Sequence, residues 1–188
     1  MKKIITNKQL KYLIVYFLFC GILYSCVNDL DSIKKVTYRE DAPDDVTENL
    51  EIIQTDSGYA RFQLFAKLAE TYSKPEAVTK LKDGIKVNFF SNDGKIVSSL
   101  TALYGEINLT KGIFFVKDSV QLFNYEKKQR LETEELIWNQ KDSAIYTNKA
   151  VIVRNPQGIL FGQGIRTQQD FSTYVFLKPT GKIDFDKK

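Results

Sequence analysis

The chain has 188 residues, with 27 Lys+Arg against 23 Asp+Glu, two cysteines and no histidine. The missing imidazole removes the commonest general base and the commonest zinc ligand. The basic excess is confined to the N-terminus. Residues 1–25 carry Lys2, Lys3, Lys8 and Lys11 and no acid, so the remainder balances 23 basic against 23 acidic side chains. A neutral remainder offers no electrostatic case for nucleic acid.

Those lysines precede an apolar run from Tyr12 to Tyr24, 13 residues broken only by Gly21. A cationic segment followed by about 7–15 apolar residues is the secretory pattern, whereas a helix crossing the bilayer core needs about 20. The run ends in Leu23-Tyr24-Ser25-Cys26. This resembles a bacterial lipobox and predicts a lipoprotein signal peptide over residues 1–25, with palmitate-type acylation on Cys26. Cys20, behind Phe17-Leu18-Phe19, has no small residue before it and is the poorer candidate. The alternative is an uncleaved anchor helix. Either reading ties the rest of the chain to a membrane outside the cytoplasm. No cysteine follows Cys26, so an intramolecular disulfide is not expected.

Residues 26–48 are rich in acids (Asp29, Asp31, Glu40, Asp41, Asp44, Asp45, Glu48) and show no apolar periodicity. They predict a flexible tether. Residues 49–188 are long enough for one domain with its own core. In the stretch 50–70, Ala60, Phe62, Leu64, Ala66 and Leu68 alternate as in a strand. Ala60, Leu64 and Leu68 also suit one helical face. The β-rich remainder favours the strand, which Lys74-Pro75 ends.

From Lys82 onward, turn signals separate short alternating segments: Asp83-Gly84, Asn92-Asp93-Gly94, Lys111-Gly112, Asn155-Pro156-Gln157-Gly158 and Pro179-Thr180-Gly181. Alternate side chains of a strand share a face, so Ile85, Val87 and Phe89 line one face, as do Val120 with Leu122 and Val151 with Val153. Val87, Val120 and Val151 begin similar phrases 33 and 31 residues apart, each followed by a polar residue: Ser91, Asn124, Asn155. A degenerate repeat of this length implies stacked units that bury their apolar faces together. The reading is an all-β antiparallel domain.

Catalytic constellations are absent. Glu134-Glu135 sit on adjacent strand positions and face opposite ways, as a solvated edge rather than an acid–base pair. Gly162-Gln163-Gly164 lies in a strand pattern and allows close backbone approach rather than phosphate binding. No cofactor, metal site or enzymatic activity is expected. Phe89-Phe90, Phe114-Phe115 and Leu122-Phe123 put large apolar groups on both faces of their strands. Either both faces are covered, or one face is a groove for an apolar ligand.

The runs DGIKVNFFSNDGKIVSSLTALYGEIN (Asp83 to Asn108) and RLETEELIWNQKDSAIYTNKAVIVRNPQGILFGQGI (Arg130 to Ile165) resemble LptC, the membrane-anchored periplasmic component of the lipopolysaccharide export machine. The similarity spans about Tyr59 to Phe176. It implies a twisted V-shaped β-jellyroll of two antiparallel sheets that holds the acyl chains of lipopolysaccharide between them. It also implies two partners: an inner-membrane ABC transporter, and a periplasmic bridge protein of similar fold joined edge to edge. Familiar members carry an N-terminal transmembrane helix where this chain has Cys26, so the anchor would be a lipid, at the inner membrane rather than the outer. The resemblance marks Val87, Phe89, Leu100, Ala102, Phe115, Val120, Leu122, Leu131, Thr133, Trp138, Ile145, Val151 and Val153 as groove candidates. Tyr174, Val175, Phe176, Leu177 and Lys178 form the candidate partner edge. The competing reading is a non-enzymatic β-sandwich lipoprotein that binds glycan or protein at the cell envelope.

Overall fold

A computed structural model describes residues 42–180. The predicted signal peptide and Cys26 lie outside the described residues. Ten strands follow one another: β1 (Asp45–Asp56), β2 (Tyr59–Tyr72), β3 (Val78–Phe90), β4 (Ile96–Ala102), β5 (Tyr104–Asn108), β6 (Ile113–Asn124), β7 (Gln129–Asn139), β8 (Ala144–Asn155), β9 (Gly158–Gln168) and β10 (Tyr174–Thr180). β1 begins at Asp45, so the last residues of the expected tether belong to the sheet. The ambiguous segment is strand β2, joined to β1 through a turn in which Ser57 and Gly58 both have positive φ.

The all-β expectation holds, and every ladder is antiparallel. The division into two sheets does not match the hydrogen bonding: one continuous ten-stranded sheet runs β1-β2-β3-β4-β6-β7-β8-β9-β10. β5 pairs with β3 and β6, so β4 and β5 are two limbs of one course, interrupted at Leu103.

A crease replaces the expected gap between sheets. Register shifts fall at the same level in successive ladders: Ala66/Leu68, Lys117/Val120, Thr133/Ile137 and Thr147/Ala150. Leu103 completes the line, accepting from the amide of Gly84 at 3.2 Å and donating to the carbonyl of Asp118 at 3.0 Å. Asp83, Gly84, Asp118 and Ser119 all carry positive φ there. Extra residues of this kind bend a strand and sharpen its twist. Each long strand thus contributes one limb to each of two walls.

The walls meet through their apolar faces. Phe62 and Phe89 of the first wall each stand 4.9 Å, ring centre to ring centre, from Trp138 of the second. One inward row crosses the first wall by register: Leu64, Val87, Leu100, Leu122, Leu131, Val153 and Leu160. The repeat is therefore staggered in space. Val87 lies level with Leu122 and Val153, two residues beyond the Val120 and Val151 that match it in sequence.

The recurrent polar residue after each strand has a physical role. The Oδ1 atoms of Asn108, Asn124, Asn139 and Asn155 accept backbone N–H bonds from Lys111, Lys127, Lys141 and Gln157 at 2.7–3.0 Å. Asparagine that closes its own turn in this way stops a strand without leaving the next amides unpaired.

Candidate functional site

The interior between the walls divides into two halves along one row of register partners: Phe62, Phe89, Ser98, Asn124, Gln129. In the aromatic half, Trp138 is packed edge-on by Phe62 and Phe89 and lies 4.4 Å from the Phe114 ring. The indole Nε1 is buried and has no hydrogen-bond partner among the described residues. An unpaired donor of this kind costs about 1–3 kcal/mol.

The other half is polar and fastened. Five consecutive carbonyls of the β9–β10 connection each accept a side-chain donor. Ser98 Oγ reaches Gln169 O at 2.5 Å, Asn124 Nδ2 reaches Asp170 O at 2.7 Å, and Gln129 Nε2 reaches Phe171 O. Lys127 Nζ reaches Ser172 O and Thr167 Oγ1 reaches Thr173 O, both at 2.6 Å. These donors come from four strands and a turn. Together they strap the connection across the interior and hold the Phe171 ring, fully buried and with positive φ, as its plug.

Eleven of the thirteen groove candidates are buried: Val87, Phe89, Leu100, Ala102, Val120, Leu122, Leu131, Trp138, Ile145, Val151 and Val153. Phe115 is only half-buried, while Phe114 and Val116 face the interior. Inward parity in β6 runs without a break from Leu122 and Val120 back to Val116 and Phe114, although Asp118 and Ser119, both at positive φ, stand opposite the single Glu134 of β7. Thr133 is half-buried, and its Oγ1 donates to Ala150 O at 2.8 Å. Phe62 continues the alternation of β2 and was legible as part of that strand, though not as a neighbour of Trp138. Phe171 and its strap have no periodic signal in sequence.

Among the described residues β10 is an edge strand, paired on one side only, with β9. Val175, Leu177 and Lys178 are exposed, and Tyr174 and Phe176 half-buried. Close approach explains the Gly162-Gln163-Gly164 segment. A Cβ at Gly162 would lie 2.1 Å from Phe176 Cδ1, and one at Gly164 would lie 2.7 Å from Leu177 Cδ1. The edge strand therefore rests directly on β9 backbone.

Charged groups stay outside. Lys82 donates to Glu70 at 2.7 Å and, with the Tyr72 hydroxyl, holds that carboxyl below its usual range. Arg166 bonds Asp142, and Glu135 faces Lys149. Among the described residues no three Asp, Glu, Cys or His side chains converge to hold a metal ion.

The family model described as Lipopolysaccharide-assembly, LptC-related, matches residues 13–178. That stretch covers most of the chain and all but the last two described residues of β10. The chain belongs to the LptC family. No curated protein matches it. Membership gives the chain a non-enzymatic role in lipopolysaccharide transport, as a component facing the periplasm at the inner membrane. The LptC interior is thus the place to look for its ligand.

Proposed function

We propose that this LptC-family chain binds the acyl chains of lipopolysaccharide between its two walls, while tethered to the inner membrane by a lipid on Cys26. It receives the lipid from the ABC transporter and passes it to a bridge protein of similar fold docked on the β10 edge. The observation that carries this reading is an apolar interior bounded by an open sheet. Among the described residues β1 and β10 each pair with a single neighbour, so the walls can part without breaking a ladder.

The energetics favour such a carrier. Each methylene exposed to water costs about 0.8 kcal/mol, so several acyl chains together need apolar cover. The orphan Trp138 N–H offers one donor in that cover, suited to an ester or amide carbonyl. The free edge, a hazard in an isolated protein, becomes a docking strand beside a partner. Transport is driven by the transporter, so no catalytic group is required of this chain.

A photo-crosslinking residue at Phe89 or Leu122 should capture lipopolysaccharide in cells. A folded protein that yields no lipid adduct at any inward position would overturn the reading. One observation favours the glycan- or protein-binding lipoprotein instead: Phe89, Leu122, Leu131, Ile145 and Val153 show no exposure, so the interior is filled by its own side chains. That alternative expects no lipid adduct and unaltered packing in cells.

A further inference from the structure

The outer face of the first wall carries a second patterned surface. Behind the inward row runs a row of register partners facing away from the core: Phe123, Arg130, Arg154, Ile159. The next outward row places Glu132 opposite Ile152, and Ile152 opposite Phe161. Two guanidinium groups thus stand directly across one ladder, an arrangement that repels. Among the described residues Glu132 alone pairs with them, at 2.5 Å from Arg130 and 3.3 Å from Arg154. Lys128, at the β6–β7 turn, has no ion-pair partner among the described residues.

These cations line an open cleft of about 310 Å³ floored by Phe123 and closed by Asn155 and Pro156. On its β9 side the surface is apolar: Ile159 is 45% exposed and Phe161 47%. On its β6 side Tyr125 is 47% exposed, its ring against Phe123. Two guanidinium groups share one carboxylate, Lys128 adds a third cation, and all are flanked by exposed aliphatic and aromatic side chains. A free oxyanion would use the cations and leave the Ile159 and Phe161 surface in water. An acidic protein would meet the same cations, but two bulky apolar groups beside them match the depth profile of a bilayer surface, with phosphates outside and acyl chains beneath.

We propose that this face rests on an anionic bilayer: Lys128, Arg130 and Arg154 meet lipid phosphates, and Ile159 and Phe161 enter the boundary with the acyl chains. The contact is separate from the interior, and would keep the wall beside the lipid source.

The full chain is reconstituted, through its own N-terminal segment, into vesicles of phosphatidylcholine alone or mixed with phosphatidylglycerol, both doped with brominated phosphatidylcholine. Phe161→Trp reports the face, with the signal of buried Trp138 subtracted. Bromine quenching of the new tryptophan, with loss of acrylamide access, is expected in anionic vesicles only. Both effects should vanish at about 0.5 M salt, where screening is short-ranged, and in the Arg130→Gln, Arg154→Gln double variant. Equal acrylamide access in the two vesicle types overturns the proposal. So does release by inorganic phosphate at matched ionic strength, which would mark an isolated phosphate site, and so does contact only when an acidic partner protein is added. Ile159→Trp repeats the reading should Phe161→Trp not fold.

Discussion

The two halves of the interior are built on one register row and hold together by different physics. The aromatic half, around Trp138, is held by ring packing and carries an unpaired donor; among the described residues a side-chain hydrogen bond joins its walls only at the exposed rim, from Gln140 Nε2 to Gln54 Oε1. The strapped half spends five side-chain donors on five successive carbonyls of the β9–β10 connection. Parting apolar surfaces costs area alone, and an entering acyl chain restores it. Parting the strap leaves the buried carbonyl of Phe171, and the part-buried ones beside it, without partners. The difference assigns opening to the aromatic half and anchoring to the strapped half.

The largest test removes the aromatic packing. Phe89→Ala should lower stability by about 3–5 kcal/mol in urea unfolding, the range for a large core ring. If the cost is much smaller, the aromatic half is looser than its burial implies. Gln129→Leu keeps the volume and deletes the donor to Phe171 O, so about 1–3 kcal/mol should be lost. Amide exchange should then quicken in residues 169–173 and leave the aromatic half unchanged. Faster exchange around Trp138 instead would show that the halves are not independent.

Gly162→Ala tests the edge beside both halves. The added methyl meets the Phe176 ring, and about 1–3 kcal/mol of overpacking is expected. Phe176→Ala in the same chain should recover part of that loss, a coupling that a double-mutant cycle measures. The smallest effect lies outside both halves. Lys95, then Ser91, hold the Asp93 carboxyl down at about 2. Its stabilising contribution is complete above the unfolded value near 3.8 and lost as pH falls through about 2. Full exposure makes it slight. NMR titration of Asp93 should give a depressed midpoint that Lys95→Ala moves upward.

Much of the first wall was legible before the structure, because alternation and turn chemistry are local. Val87, Leu122 and Val153 could be read from period two, and Asn124 and Asn155 from their places at strand ends. Phe115 was legible by the same rule, since period two carried back from Leu122 and Val120 places Val116 and Phe114 inward and Phe115 outward; taking it as inward broke that parity. The strap was illegible. Its bonds from Ser98, Asn124, Gln129 and Lys127 join residues 42–71 positions apart, through carbonyls that every residue possesses. The division into two sheets is not confirmed, because hydrogen bonding runs through the crease; the bend does mark the pattern of β7, whose inward positions change from Gln129 and Leu131 to Leu136 and Trp138.

The unbroken ladder has a kinetic consequence. Every strand pairs with one close to it in sequence, so the sheet can grow hairpin by hairpin with short loops to close, which is cheap in chain entropy. The costly step is folding the finished ribbon over itself, when Phe62 first meets Trp138. During synthesis the early strands can therefore assemble well before β10 exists, with Phe114 of β6 the first ring of the second wall to reach Phe62 and Trp138 of β7 following it.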